Sequence, residues 1–354
     1  MREMSLKAHF SHGYLCRRRH KVALKRRICV FYPYDASVCG MGINMKKDIQ
    51  TVALLGAGAV GSYFINGLTR KLGENLWVIA KGERKERLEK EGLIINGTHF
   101  PVHVKTPELA KGVDLLLISV KYGALEESLG DIAAMTGENT IVMSLLNGVD
   151  SEQLIAERIG EEHLVYSLMK ISAERKNNSI FYIPEATLGV FFGDAKKNNA
   201  DDKVQAVARL LDDTPVRYKI CEDIIQDMWY KFALNVSKNL PQAMIGCGYG
   251  AYATSEHVMA LSDGLLNEVI AVAAAKGIDI SDKNAPALQN SAVLKTARFS
   301  TLQDLDAARH TEVDMFSGAM IKMGKELGIP VPYNEFTFHM IKALEEKNDG
   351  RFDF

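Results

Sequence analysis

The sequence predicts an α/β protein: a parallel sheet with crossover helices in front, and an all-helical part behind. Three observations carry this. Apolar runs of strand length alternate with longer amphipathic segments from Thr51 on. A glycine-rich turn, Gly56-Ala57-Gly58-Ala59-Val60-Gly61, stands between the first apolar run and the first helical pattern. From about Cys221 the apolar residues recur at helical spacing almost throughout.

Taken in order, TVALL is the first strand, a helix starts at about Val60, LWVIA is the second strand, and ERKERLEKEG is a charged helix. LLLISV (115–120) and TIVMSLL (140–146) are continuous apolar runs, as expected of parallel strands covered on both faces. SIFYI and TLGVFFGD, set off by Asn, Pro and Gly, read as an antiparallel extension of the same sheet. Helical patterns follow in DIIQDMWYKFALNVSK, EHVMALSDGLLNEVIAVAAAKG, TLQDLDAARH, EVDMFSGAMIKMGKELG and NEFTFHMIKALEEK. Gly277 and Gly328 each close one of them.

A chain of 354 residues with 47% hydrophobic and 25% charged residues is long enough for two domains. We divide it into a basic leader (1–44), a dinucleotide-binding domain (45–220) and a helical domain (221–354). The leader holds nine of the basic residues within positions 1–27, and the chain from Met45 on is acidic, with net charge −8. Because MKKDIQTVALL resembles a natural start before a first strand, the leader is expected to be disordered or no part of the native protein; a targeting segment or nucleic-acid arm is the alternative. No uninterrupted apolar run approaches the ~18 residues of a membrane-spanning helix. Only Cys221 and Cys247 lie in the body, without metal-ligand spacing, so no metal and a reducing, cytoplasmic setting are expected.

The turn matches G-x-G-x-x-G in the setting that makes it informative, after a strand and opening a helix. Gly56 makes the turn, Gly58 admits a pyrophosphate to the backbone and Gly61 permits close helix–strand packing; with Ala57, Ala59 and Val60 they form the cofactor loop of a Rossmann-type domain. The second strand ends in WVIAKGERKER, with no acid placed for a ribose hydroxyl, while Lys81 and Arg84 offer charge to a 2′-phosphate. NADPH is therefore expected over NADH, with Lys81 the better candidate. Lys121 and Asn147 each follow an apolar run, where open parallel sheets bind ligands.

In WYKFALNVSKN (229–239), Lys231, Asn235 and Asn239 fall within an arc of about 80° at helical spacing, with Lys238 near the same arc. Asn is a poor helix former, so a ligand-binding face competes with plain solvent exposure. Pro241 should kink or end the helix near Val236 to Asn239, since it removes the bond to the Ser237 carbonyl. An ammonium can protonate the oxygen of a ketone as hydride arrives at its carbon, and amides can orient a carboxylate or hydroxyl. Spacing leaves Lys231 and Lys238 equally eligible.

Over roughly Ile49 to Phe338 the chain resembles the ketopantoate reductase (2-dehydropantoate 2-reductase) family, on GAGAVG, SVKY, LLNGV, the K-x3-N-x3-N helix and FSTLQDLDAARHTEVD. The resemblance implies reduction of 2-dehydropantoate to pantoate, a step of pantothenate and coenzyme A synthesis. It implies Lys231 as general acid, Asn235, Asn239 and Ser300 as substrate ligands, Asn147 and Glu312 beside both substrate and cofactor, and Lys121 on the cofactor. Without it, Ser300 reads as a helix cap completed by Gln303, and Glu312 as an acid favoured by a helix N-terminus. LPQAMIGCGYG departs from the family's usual small-residue run, and a polar substrate contact expected about ten residues beyond Asn239 falls near Tyr249. A paralogous reductase of another small 2-keto acid, and a non-catalytic NADP sensor, are the rivals. The expected partner is a small 2-keto acid, with no nucleic acid or membrane; a homodimer is left open.

Overall fold

The computed structural model describes residues 48–176, 179–185, 187–283 and 294–352. The basic leader lies outside the described residues.

Five strands, β1 (Val52–Leu55), β2 (Leu76–Ile79), β5 (His103–Lys105), β6 (Leu115–Ile118) and β7 (Ile141–Ser144), form a sheet in the order β5-β2-β1-β6-β7. Every pair is parallel. Alternate residues of β1 serve two cores. Val52 and Leu54 pack with Phe64 and Leu68 of α1 (Ala59–Leu72) and with Val207 of α5 (Asp202–Leu211), whereas Ala53 and Leu55 pack with Ile132 of α3 (Leu125–Met135) and Ile155 of α4 (Ser151–Ile159). Both faces being dry is why these strands read as unbroken apolar runs; truncating Leu54 to Ala would cost about 2–5 kcal/mol. The order of strands changes direction between β1 and β6, and the crevice at their carboxyl ends is where such sheets bind ligands.

The antiparallel strands do not extend this sheet as the sequence suggested. After α2 (Gly82–Glu91), β3 (Leu93–Ile95) and β4 (Thr98–Phe100) form a hairpin on Asn96-Gly97, both residues with positive φ, 47° and 79°. That Asn-Gly pair is a strong hairpin signal in its own right. The hairpin captures β10 (Ser179–Tyr182), which pairs in parallel with β3 and antiparallel with β9 (Ala173–Lys176) in a separate four-stranded sheet. Asn96 fastens the join, its N–H donating to the Ile180 carbonyl at 2.8 Å and its side-chain oxygen accepting from the Tyr182 N–H at 3.0 Å. β8 (Tyr166–Lys170), β11 (Gly189–Gly193) and β12 (Tyr218–Ile220) make a third sheet, joined to the first by a parallel bridge between Val142 and Leu164.

From Ile224 on, the described elements are helical: α6 (Ile224–Leu234), α7 (Leu240–Ile245), α8 (Ala251–Thr254), α9 (Glu256–Ala275), α10 (Ser300–Asp306), α11 (Ala319–Leu327) and α12 (Pro332–Asn348). By length and composition α9 could cross a membrane. Here its Leu265, Val269, Val272 and Ala273 pack with Phe232, Phe316 and Ile341. Its buried Glu268 accepts from the N–H groups of Tyr333 (2.7 Å) and Asn334 (3.0 Å), so a carboxylate occupies the N-terminus of α12. Gly277 and Gly328, with φ of 77° and 68°, close α9 and α11, and the next residue donates back to Ala273 or Gly324.

Candidate active site

Helix α6 is capped by Asp223, whose side chain accepts from the Gln226 N–H at 3.0 Å. Trp229, Phe232, Ala233, Val236 and Leu240 bury one side of the α6–α7 rod in the helical core. Pro241 does not end it. Residues Asn235–Asn239 instead form a π turn, and Pro241 stands in the first turn of α7. A proline has no N–H to give and its ring presses on the carbonyl four residues back, that of Ser237; a widened turn just before it relieves both demands.

The π turn also sorts the polar residues. In an unbroken α-helix Asn239 would lie about 80° round from Lys231, and Lys238 about 20° the other way. One additional residue in the circuit sets later residues back by about 100°. Within the turn Asn239 is set back towards the Lys231 direction, and Lys238 is carried away from it. Lys238 accordingly reaches α9, donating to Ser262 Oγ at 2.8 Å with its ammonium 4.7 Å from the Tyr252 ring centre. Asn239 donates to Asn235 Oδ1 at 3.4 Å.

Lys231 donates to Asn147 Oδ1 at 2.6 Å, joining the helical part to the carboxyl end of β7. Part of the Lys231 residue is accessible to solvent, as a cleft requires. Its ammonium is nevertheless deep enough that burial, aided by the Lys170 charge, pulls its pKa down to about 8, against the opposing pull of Glu312 and Glu152. Lys121, after β6, brings its ammonium to 3.7 Å from Glu312 and 4.0 Å from Asp304 of α10. Glu312 leads directly into a second π turn, Asp314–Gly318, which packs against the first. Lys121, Asn147, Lys231 and Glu312 are thus brought together across the cleft, with Asn235 and Asn239 on the Lys231 face.

Ser300 is not a cap. The cap position is Phe299, and Gln303 donates to the Arg298 carbonyl at 2.7 Å instead of completing a box. Ser300 is exposed at the start of α10, which rests on the first π turn and on α7. Lys81 lies on the other side of β1 from this cluster, paired with Asp131 at 2.6 Å.

In the glycine loop, two of the three glycines are demanded by the protein itself. A Cβ on Gly56 (φ 103°) would meet the Ser119 carbonyl oxygen at 2.5 Å, and one on Gly61 the Gly56 oxygen at 2.2 Å. A Cβ on Gly58 would meet nothing within 4 Å, although Gly58 is the residue that precedes α1. Half-buried Ala59 and Val60 open that helix and Ala57 is buried beneath it. A bare backbone over open space at a helix N-terminus is what a pyrophosphate needs, so these residues fit a dinucleotide.

Two family models match the chain: the ketopantoate reductase PanE/ApbA model over residues 52–196, and its C-terminal counterpart over 223–345. The chain belongs to the ketopantoate reductase family. The 2-dehydropantoate 2-reductase of Aquifex aeolicus is 26% identical over 309 residues, spanning 84% of this chain and 97% of that protein; that of Streptococcus pyogenes is 24% identical over 302 residues, 83% and 97%. A family crystal structure from Ralstonia eutropha has TM-score 0.69 at 24% identity, covering 84% of this chain and 99% of that one. D-mandelate dehydrogenase with NADH and anilino(oxo)acetate has TM-score 0.70 at 20% identity, with the same coverage.

In this family of pyridine-nucleotide-dependent oxidoreductases, sequence reasoning passed over two acids beside the cluster. Asp304 lay inside an ordinary amphipathic pattern, and nothing there marked it as facing Lys121. Glu152 of α4 reads as an acid in a first helical turn, yet it is buried, with Oε2 accepting from Ser151 Oγ at 2.8 Å and Oε1 without a partner among the described residues. Burial pushes its carboxyl up to about 7.

Proposed function

We propose that this chain reduces 2-dehydropantoate to pantoate with NADPH, Lys231 being the general acid. The observation that carries the reading is the enclosed Lys231 ammonium, titrating near 8, held on Asn147 at the edge of the parallel sheet and in line with Asn235 and Asn239. The dinucleotide, when bound at the glycine loop, supplies the hydride. Lys231 gives a proton to the carbonyl oxygen as negative charge gathers there, and its pKa near neutrality makes that transfer easy. Asn235, Asn239 and Ser300 orient the substrate, Glu312 stands beside substrate and cofactor, Lys121 and Asn147 meet the cofactor, and Lys81 exchanges Asp131 for a 2′-phosphate. The decisive test is the loss of NADPH absorbance with 2-dehydropantoate. Turnover is expected, and NADPH binding without reduction of any keto acid would favour a sensor.

A second reading keeps the chemistry and changes the substrate. D-mandelate dehydrogenase shares the fold, and Lys81 already has a carboxylate partner, which favours an aryl 2-keto acid with NADH. Comparing kcat/KM for 2-dehydropantoate and benzoylformate, each with both cofactors, separates the two.

A further inference from the structure

Strand β8 runs beside β7. The parallel bridge between Val142 and Leu164 sets their register, the Val165 N–H donates to the Val142 carbonyl at 3.0 Å, and Ser167 Oγ donates to the Ser144 carbonyl. Counting on at strand spacing brings Lys170, the last residue of β8, level with Asn147-Gly148 at the carboxyl end of the parallel sheet. Its direction follows from alternation. Leu168 packs with Ile224 and Met228 of α6, and Lys170, two residues on, points to the same side, where α6 carries Asp227 and Lys231.

The charge at this point is uncompensated. Lys121 has Glu312 and Asp304, and Lys231 has the neutral Asn147 amide. Lys170 has no hydrogen bond or ion pair to a carboxylate among the described residues. Its half-buried side chain lays the ammonium 4.5 Å from the centre of the Phe191 ring, which Lys219 approaches at 5.6 Å. Burial holds the Lys170 pKa below the ordinary lysine value, against the pull of Asp227 and Cys221. Burial apart, the Lys170 charge is the strongest influence on Lys231, ahead of Glu312 and Glu152. Two ammoniums that feel each other in a half-dry cleft repel, and an anion beside both relieves the repulsion.

We propose that Lys170 is a substrate-binding residue: its ammonium, at the end of β8 and beside Lys231, receives the carboxylate of the 2-keto acid, so that the cleft selects the acid over its neutral esters. This rests on the reading of Lys231 as proton donor to a 2-keto acid. Such a substrate carries its carboxylate and its ketone on adjacent carbons, which suits two neighbouring ammoniums with separate tasks.

The test measures kcat/KM for 2-dehydropantoate and its neutral lactone, and for benzoylformate and its methyl ester, in the full-length protein and in Lys170→Met, Lys170→Gln and Lys170→Arg. Loss of a charged hydrogen bond should lower the acid-to-neutral ratio in the Met and Gln variants by about ten- to a hundred-fold, while Lys170→Arg keeps most of it. Each ratio is internal to one variant, so a loss of folded protein cancels. The groups facing Lys170 are Asp227, Cys221, Lys219 and Lys231; those facing Lys231 are Asn147, Glu152, Glu312 and Lys170. Removing the Lys170 charge therefore relieves a repulsion, raises the Lys231 pKa and should move the alkaline limb of kcat/KM to higher pH, which a merely structural lysine would not do. An unchanged ratio overturns the assignment whether or not the limb moves, and so does weaker NADPH binding in place of the altered ratio. A wild-type protein that reduces none of these compounds overturns the proposed reaction instead; Lys170 is then judged by whether mandelate raises the melting temperature more than methyl mandelate does in the wild type and not in Lys170→Met.

Discussion

At the scale of single residues the site is a compromise over charge. A lysine titrating near 8 instead of its ordinary 10.5 corresponds to about 3 kcal/mol held against the charged form. Below pH 8 folded and unfolded chains both carry this proton and the cost is fully present. Between about 8 and 10.5 the folded chain releases it first, the unfolded chain binds more protons, and this group's penalty is relieved as pH rises. Lys231→Met should therefore cut turnover about a hundred-fold or more while the melting temperature at pH 7 holds or rises; calorimetry beside steady-state kinetics checks both. As an acid, Lys231 must be protonated, so kcat/KM for reduction should fall above about pH 8. The Glu152 charge raises the Lys231 pKa, so Glu152→Gln should move that alkaline limb to lower pH. An unmoved limb would remove Glu152 from the account.

At the scale of elements, two turns do work that regular structure could not. In the glycine loop the three glycines separate by what each must avoid. Gly61→Ala would push a Cβ onto the Gly56 oxygen and should destabilise the fold by about 1–3 kcal/mol. Gly58→Ala meets no protein atom within 4 Å, so it should leave the melting temperature nearly unchanged and weaken nucleotide binding; thermal melts and fluorescence titration with NADPH distinguish the pair. The turn and the helix start were legible, because G-x-G-x-x-G after a strand demands bare backbone at Gly56 and Gly61. The π turn was not. Proline chemistry announced a disturbance at Pro241 but not its form, and the form decides the site: it brings Asn239 towards Lys231 and sends Lys238 to Ser262.

At the scale of the whole molecule, residues from β6, β7, α6 and the Glu312 turn meet across one cleft, so ligands that bind there draw on both parts of the chain. Saturating cofactor should then stabilise the protein globally. At a hundred times its dissociation constant a ligand adds about 2.7 kcal/mol, which for a chain of this size is a rise of roughly 5 °C or more in melting temperature. NADPH should produce the larger rise at equal concentration, and an equal or larger rise with NADH would reverse the cofactor assignment.

The first strand–helix units, the apolar strands β6 and β7, the glycine turn before α1 and the change to helices near Cys221 could be read from the sequence, because each follows from local periodicity and from backbone freedom at particular glycines. The polar stripe was visible too, since 3.6-residue spacing is a local property. Pairings between distant segments left no such mark. That β10 joins the Asn96 hairpin, that Lys121 meets Glu312 and Asp304, and that Gln242 clasps Phe299 beside Tyr249 depend on which surfaces come together once the cores close. Lys231 and Lys238 are alike in sequence. Folding separates them: Lys231, ahead of the π turn, meets the Asn147 amide where desolvation lowers its pKa, and Lys238, within the turn, meets Ser262 on α9.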